Sequence, residues 1–300
     1  MTMIHPQGII PSVPAIFDDA EKLLPDEVGN VISFLREARC DGIAINLIGG
    51  EFYKLSEQER QEMVRTGLDF AAGRIPVYSG ISSPGTVEAC RMAKITEDMG
   101  VDCLIVMPPY YNPLGAYSWR AVIDHFSTIA RCTNLPFIIQ DFNYGIPLEI
   151  LARLQREFSN LVGLKIEGSR QSQIEKRIRT VRAELGDKFS ILGGMLGVNL
   201  RNEIASGSSG SIPGSSLADF IVREYVDFKN GISNSHANHE ILKKILRSES
   251  RKMRYFIYIE KAILKHRGII DHIQCMKPYD YPSRKMMEMI IADVESLTSS

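Results

Sequence analysis

Cysteine is sparse: five residues in 300, Cys40, Cys90, Cys103, Cys132 and Cys275, are odd in number, scattered and free of any CxxC pair. That excludes a disulfide framework and leaves reduced, packing cysteines as the expectation. Long apolar runs are missing as well, none approaching the roughly 18 residues needed to cross a bilayer. Met1 to Ile10 has no basic start followed by an apolar stretch, so a cytoplasmic chain with no membrane partner is expected. An excess of charge of either sign is also lacking, since 35 Lys and Arg meet 36 Asp and Glu. No long-range field then attracts nucleic acid. There is no HExxH, so no metal is expected, and no GxSxG elbow for Ser-His-Asp hydrolysis. His236 and His239 sit three apart and read as solvated residues on one helix face.

What is present is a repeat of alternating elements. Short apolar, β-branched runs begin near Ile9, Ile43, Val77, Leu104, Phe137, Val162, Ser190 and Ser211. Intervals of roughly 20–35 residues separate them and carry amphipathic helical patterns, such as Asp26 to Ala38, Ser56 to Ala71 and Thr86 to Met99, long enough to cross between parallel strands. Ser56 to Glu59 has capping-box spacing, and Ser83-Pro84 puts proline near the next helix start. Runs such as Gly42 to Ile48 and Phe137 to Ile139 are continuously apolar, as strands covered on both faces must be. The pattern predicts a (β/α)8 TIM barrel over residues 1–220 with a C-terminal helical extension over 221–300, and a doubly wound open sheet as the alternative.

Four segments carry candidate chemistry. In Asn160 to Glu167, period-two geometry puts Gly163, Lys165 and Glu167 on one strand face, which is the interior of a closed barrel. An ammonium there is expensive to desolvate, which favours the neutral amine needed to attack a ketone. The bland alternative is a lysine paired with Glu167 or reaching solvent. Pro108-Pro109-Tyr110-Tyr111-Asn112-Pro113 follows a strand, where a tuned phenol could move protons or simply stiffen a loop. Gly49 and Gly50 allow backbone N–H groups to approach a carboxylate, or make only a tight turn. Gly207 to Gly214, with Gly193-Gly194 before it, lies where barrels often bind anions, yet no Gly-Lys-Ser/Thr marks a P-loop.

Together, Gly8 to Pro11, Gly50 to Ser56, Gly80-Ile81, Pro108 to Asn112, Gly163-Leu164-Lys165 and Gly207 to Ile212 resemble the dihydrodipicolinate synthase and N-acetylneuraminate lyase family of class I aldolases. The resemblance spans nearly the whole chain. It implies a homotetrameric barrel in which Lys165 forms a covalent imine with pyruvate or a related 2-oxo acid, with no separate cofactor. It also implies that Tyr111 extends toward a neighbouring subunit, that the backbone of Ile48, Gly49 and Gly50 holds the substrate carboxylate, and that Gly194, Ser211 and Ile212 line the keto-acid pocket. An aldehyde is the co-substrate where the reaction is a condensation.

The departures are equally specific. Family members carry Gly-Thr-Thr-Gly-Glu where this chain reads Leu47 to Glu51, and a catalytic tyrosine where it has Gln140. Glutamine cannot shuttle a proton as phenol does. The arginine that holds the aldehyde's carboxylate has no counterpart within Phe142 to Ile146. These losses argue against lysine biosynthesis and leave Tyr144, Asp141 or Glu167 as replacements in the relay. Three alternatives stand beside a divergent Schiff-base lyase: a silent keto-acid-binding protein, a dihydrodipicolinate synthase despite the missing relay residues, and a phosphate-binding barrel isomerase.

Overall fold

The computed structural model describes residues 4–142, 145–168, 170–232, 237–250 and 253–299. Eight parallel strands form one sheet: β1 (Gly8–Ile9), β2 (Ile43–Ile45), β3 (Val77–Gly80), β4 (Cys103–Val106), β5 (Phe137–Phe142), β6 (Leu161–Glu167), β7 (Ser190–Gly193) and β8 (Gly210–Ser211). Each runs beside its sequence neighbour from β2 to β8, and β1 pairs with β8. Between β1 and β2 the backbone closes the ring: Asp41 N donates to Ile9 O at 2.8 Å, Ala44 N to Pro11 O at 2.9 Å and Val13 N to Ala44 O at 2.8 Å. A doubly wound sheet has two open edges, and this one has none.

Helices α1 (Pro25–Glu37), α2 (Glu57–Ala71), α3 (Thr86–Met99), α4 (Trp119–Cys132), α5 (Leu148–Glu157), α6 (Gln171–Leu185), α7 (Leu200–Ala205) and α8 (Ala218–Lys229) follow the strands in turn. Local chemistry sets their starts. Ser56 and Glu59 form the reciprocal capping box expected at α2. Gly85, not Pro84, caps α3, so the proline lies just ahead of the helix. The expected domain break at 220/221 falls inside α8. Beyond it come α9 (Ala237–Ser250), α10 (Phe256–His266) and α11 (Arg284–Thr298).

Strand alternation sorts the core into layers. Ile10, Ala44, Tyr78, Ile105, Ile138 and Leu192 pack together as one inner cluster. Outward-facing residues such as Ile43, Val77, Leu104, Ile139, Leu164 and Ile191 pack with the helices. A further cluster, with Leu242, Ile259, Ile263 and Val294 buried in it, joins the C-terminal helices. They are tied back to the strand ends by a buried ion pair: Lys261 Nζ lies 2.8 Å from Glu51 Oε1, both fully buried. Glu51 Oε2 also accepts from Met276 N at 3.0 Å. The fold thus places α10 over the C-terminal end of β1, β2 and β8. All five cysteines are free.

Candidate active site at the C-terminal ends of the strands

Following the inward alternation toward the C-terminal end of each strand brings Ser12 (two after Ile10), Gln140 and Phe142 (after Ile138), Lys165 and Glu167 (after Gly163) and Ile212 to the same end of the ring. They line a cavity of about 50 Å³ together with Leu47, Ile48, Gly49, Met195, Leu196, Pro213 and Gly214. Met253, Phe256 and Glu260 close it from the C-terminal helices. At roughly 10–15 Å³ per water position, this suits a ligand of a few heavy atoms. Outside it, a wider vestibule of about 760 Å³ shares Ile48, Phe142, Met253 and Phe256 with the inner cavity and adds Tyr53, Lys54, Arg254 and Tyr279.

Lys165 is the centre of the inner cavity. It is buried, with its Nζ 3.1 Å from Glu167 Oε1. Gln140 Nε2 donates to the other carboxylate oxygen, Glu167 Oε2, at 2.7 Å. The Gln140 Oε1 acceptor has no partner, although the side chain is buried. Gly194 has to be glycine here, because a Cβ would run into the Glu167 side chain. Lysine, carboxylate and amide therefore form one chain of polar contacts on two adjacent strands, where β5 and β6 pair Gln140 with Lys165 and Phe142 with Glu167.

The segment after β2 turns through a short 3-10 helix, Ile48–Gly50. Gly50 N donates to Leu47 O at 2.9 Å and so closes the turn rather than facing the cavity. Ile48 and Gly49 line the cavity and Gly50 does not.

The other residues singled out by sequence separate clearly. Ile212 lines the cavity, whereas Ser211, one position earlier, is turned to the opposite face and is absent from the lining. Tyr111 is 62% exposed and does not reach the cavity within one chain, while Tyr110 packs edge-on against Phe52. Asp141 faces outward, where it pairs with Arg177 Nη2 at 2.6 Å and accepts from Gly145 N, so it is not available as a base in the cavity. Tyr144 and His236 lie outside the described residues. His239 corrects the expectation of a solvated side chain: it is largely buried, and its Nδ1 lies 2.8 Å from Glu224 Oε2. Among the described residues no cluster of three or more His, Cys, Asp or Glu could hold a metal, and no helix is long and apolar enough to cross a membrane.

Several lining residues were not singled out from sequence. Ser12 and Phe142 could have been found by extending period-two alternation two residues beyond Ile10 and Gln140. Met253, Phe256 and Glu260 belong to the C-terminal segment, and no local pattern announces their return to the barrel. Glu260 is buried, and burial pushes its carboxyl above the usual range against the bonds it accepts from Ser215 N and Ser216 N at 2.8 and 2.9 Å. Those bonds fix the Pro213-Gly214 wall.

Known proteins resemble this chain in sequence and fold. The sequence profile of the dihydrodipicolinate synthetase family matches residues 5–297. A probable 2-dehydro-3-deoxy-D-pentonate aldolase of Escherichia coli K12 is 29% identical over 212 residues, covering 69% of each chain. A solved dihydrodipicolinate synthase from Rhodopseudomonas palustris superposes with a TM-score of 0.88 at 20% identity, covering 98% of this chain and 99% of that one. A prophage protein of the dihydrodipicolinic acid synthase family from Escherichia coli K12, solved in complex with pyruvate, gives 0.86 at 22% identity, covering 97% and 98%.

Proposed function

The chain belongs to the dihydrodipicolinate synthetase family, and from that premise we propose that it is an aldolase-type lyase in which Lys165 forms a Schiff base with pyruvate or a related 2-oxo acid. The observation that carries this is the buried Lys165–Glu167 pair at the C-terminal end of the strands, inside a small cavity. Glu167 takes a proton from the Lys165 ammonium, and the neutral amine adds to the ketone carbon. The alkoxide so formed takes a proton from the added nitrogen, and the proton held by Glu167 goes to the resulting carbinolamine hydroxyl, which leaves as water and gives the iminium. Loss of a proton from C3, or cleavage of the C3–C4 bond, then delivers an electron pair to the iminium and forms an enamine. The covalent imine takes the place of a cofactor.

Gln140 holds Glu167 but cannot carry a proton, so Glu167 supplies the acid-base function that a phenol at that strand position would provide. The missing arginine directs the reading away from a true dihydrodipicolinate synthase and toward a divergent lyase, aldolase or dehydratase. A homotetramer in which Tyr111 reaches a neighbouring site, an aldehyde co-substrate and a cytoplasmic location complete the proposal. Sedimentation of the purified chain tests the assembly.

The chemistry is tested by incubating the protein with pyruvate and borohydride, then weighing the peptide that bears Lys165. A reduced pyruvate adduct on Lys165 is expected, and no adduct across a panel of 2-oxo acids overturns the reading. Gln140 in place of a phenol favours a second reading, a binder that forms the imine without turnover. Exchange of pyruvate's methyl protons in deuterium oxide separates the two, since it requires the enamine.

A further inference from the structure

Among the described residues, Ser12 is the one cavity-lining hydroxyl for which the fold supplies no partner. Its Oγ is buried and makes no hydrogen bond. Its backbone, by contrast, is fixed on both sides: Ser12 N donates to Pro213 O at 2.8 Å, and Ser215 Oγ donates to Ser12 O at 2.7 Å. A buried hydroxyl held this firmly and left unpaired costs stability unless a ligand completes it. Beside it lie the N–H groups of Ile48 and Gly49, which have no acceptor among the described residues. The Ser12 Oγ stands 2.9 Å from where a Cβ on Gly49 would be, so the hydroxyl enters from the end of β1 the space that a side chain at position 49 would fill. The unpaired hydroxyl thus stands on the cavity wall that Ile48 and Gly49 also line, where a donor suits an oxygen of a bound carboxylate.

We propose that Ser12 is a substrate-binding residue, its hydroxyl donating to the carboxylate of the bound 2-oxo acid beside the N–H groups of Ile48 and Gly49. The assignment rests on the reading of Lys165 as the imine-forming lysine. It states which wall holds the acid end, leaving the apolar side formed by Phe142, Leu196, Met253 and Phe256 for the rest of the substrate. It also explains why position 49 is glycine: a side chain there would take the space that the serine hydroxyl occupies.

The test is borohydride trapping of the full chain over a concentration series of pyruvate and, separately, of its uncharged amide. In Ser12→Ala the pyruvate concentration for half-maximal labelling should rise roughly tenfold or more, the worth of one hydrogen bond to a charged acceptor. Labelling by the amide should change far less. The double variant Ser12→Ala/Gly49→Ser restores a hydroxyl from the other side, and its new Cβ would sit 3.5 Å from the residue 12 Cβ, an ordinary contact. It should recover part of the loss. An unchanged half-saturation in Ser12→Ala, or equal losses for pyruvate and its amide, overturns the assignment. Wild-type protein that takes no label overturns the Lys165 reading itself, a different result from labelled protein indifferent to position 12.

Discussion

Gln140 Nε2 donates to Glu167 Oε2 at 2.7 Å, while Lys165 Nζ holds the other oxygen of the same carboxylate at 3.1 Å. An amide and an ammonium therefore orient one carboxylate from two sides inside a buried cavity. The amide cannot take a proton, so in the proposed mechanism the proton exchanged with Lys165 passes through Glu167.

Replacing Lys165 with alanine should abolish both the borohydride-trapped adduct and nearly all turnover. No other described lysine lines the inner cavity, so no amine can substitute. The peptide mass after reduction is the measurement, and an adduct of equal yield in Lys165→Ala would end the Schiff-base account.

Glu167→Gln keeps the size of the side chain and removes the base, leaving one acceptor oxygen where two had faced Lys165 and Gln140. A loss of about 10²–10⁴-fold in kcat is expected, the usual worth of a positioned acid or base. Pyruvate affinity should change less, because the carboxylate-binding wall is elsewhere. Steady-state kinetics decide: a rise in KM with kcat intact would make Glu167 a binding group instead.

The strands were legible because residues covered on both faces must be continuously apolar, and Val77, Phe137 and Ser190 open β3, β5 and β7 where the pattern begins. Lys165 was legible for the converse reason, a charge in the middle of such a run. Parity explains one misplacement: Ser211 and Ile212 are adjacent, but only one strand face meets the cavity. Distance in sequence explains the largest gap. Met253, Phe256 and Glu260 are held at the cavity by long-range contacts, among them Lys261 buried against Glu51, a pairing across 210 residues that no local pattern encodes.

That pairing yields a stability prediction. Lys261→Met leaves Glu51 buried with only the Lys54 ammonium, 3.3 Å away, and backbone donors to balance it. Breaking one side of a buried pair costs about 3–5 kcal/mol. Thermal unfolding should fall accordingly, and pyruvate trapping should weaken because α10 carries Phe256 and Glu260. The double variant Glu51→Met/Lys261→Met should regain part of the stability, as apolar replacement of a whole pair often does. A double variant no better than the single would show that the pair is not the tether.

Glu203 offers a pH-dependent test outside the cavity. It sits on α7, almost wholly buried, with neither oxygen hydrogen-bonded, and a Cβ on Gly193 would collide with it. Burial, with the Glu167 and Glu175 charges adding, pushes its carboxyl up to about 8 from 4.5. The folded chain then keeps this proton through neutral pH while the unfolded chain releases it. Below about 4.5 both states hold the proton and no penalty arises. As pH rises from there to about 8 the folded state loses stability, by about 1.4 kcal/mol for each unit crossed, and above that the loss levels off. Glu203→Met removes the group and should unfold at a higher temperature than wild type, with a gain that is larger at pH 8 than at pH 5. Melting curves at the two pH values give the answer, and a gain of the same size at both would mean that Glu203 is not carrying a buried proton.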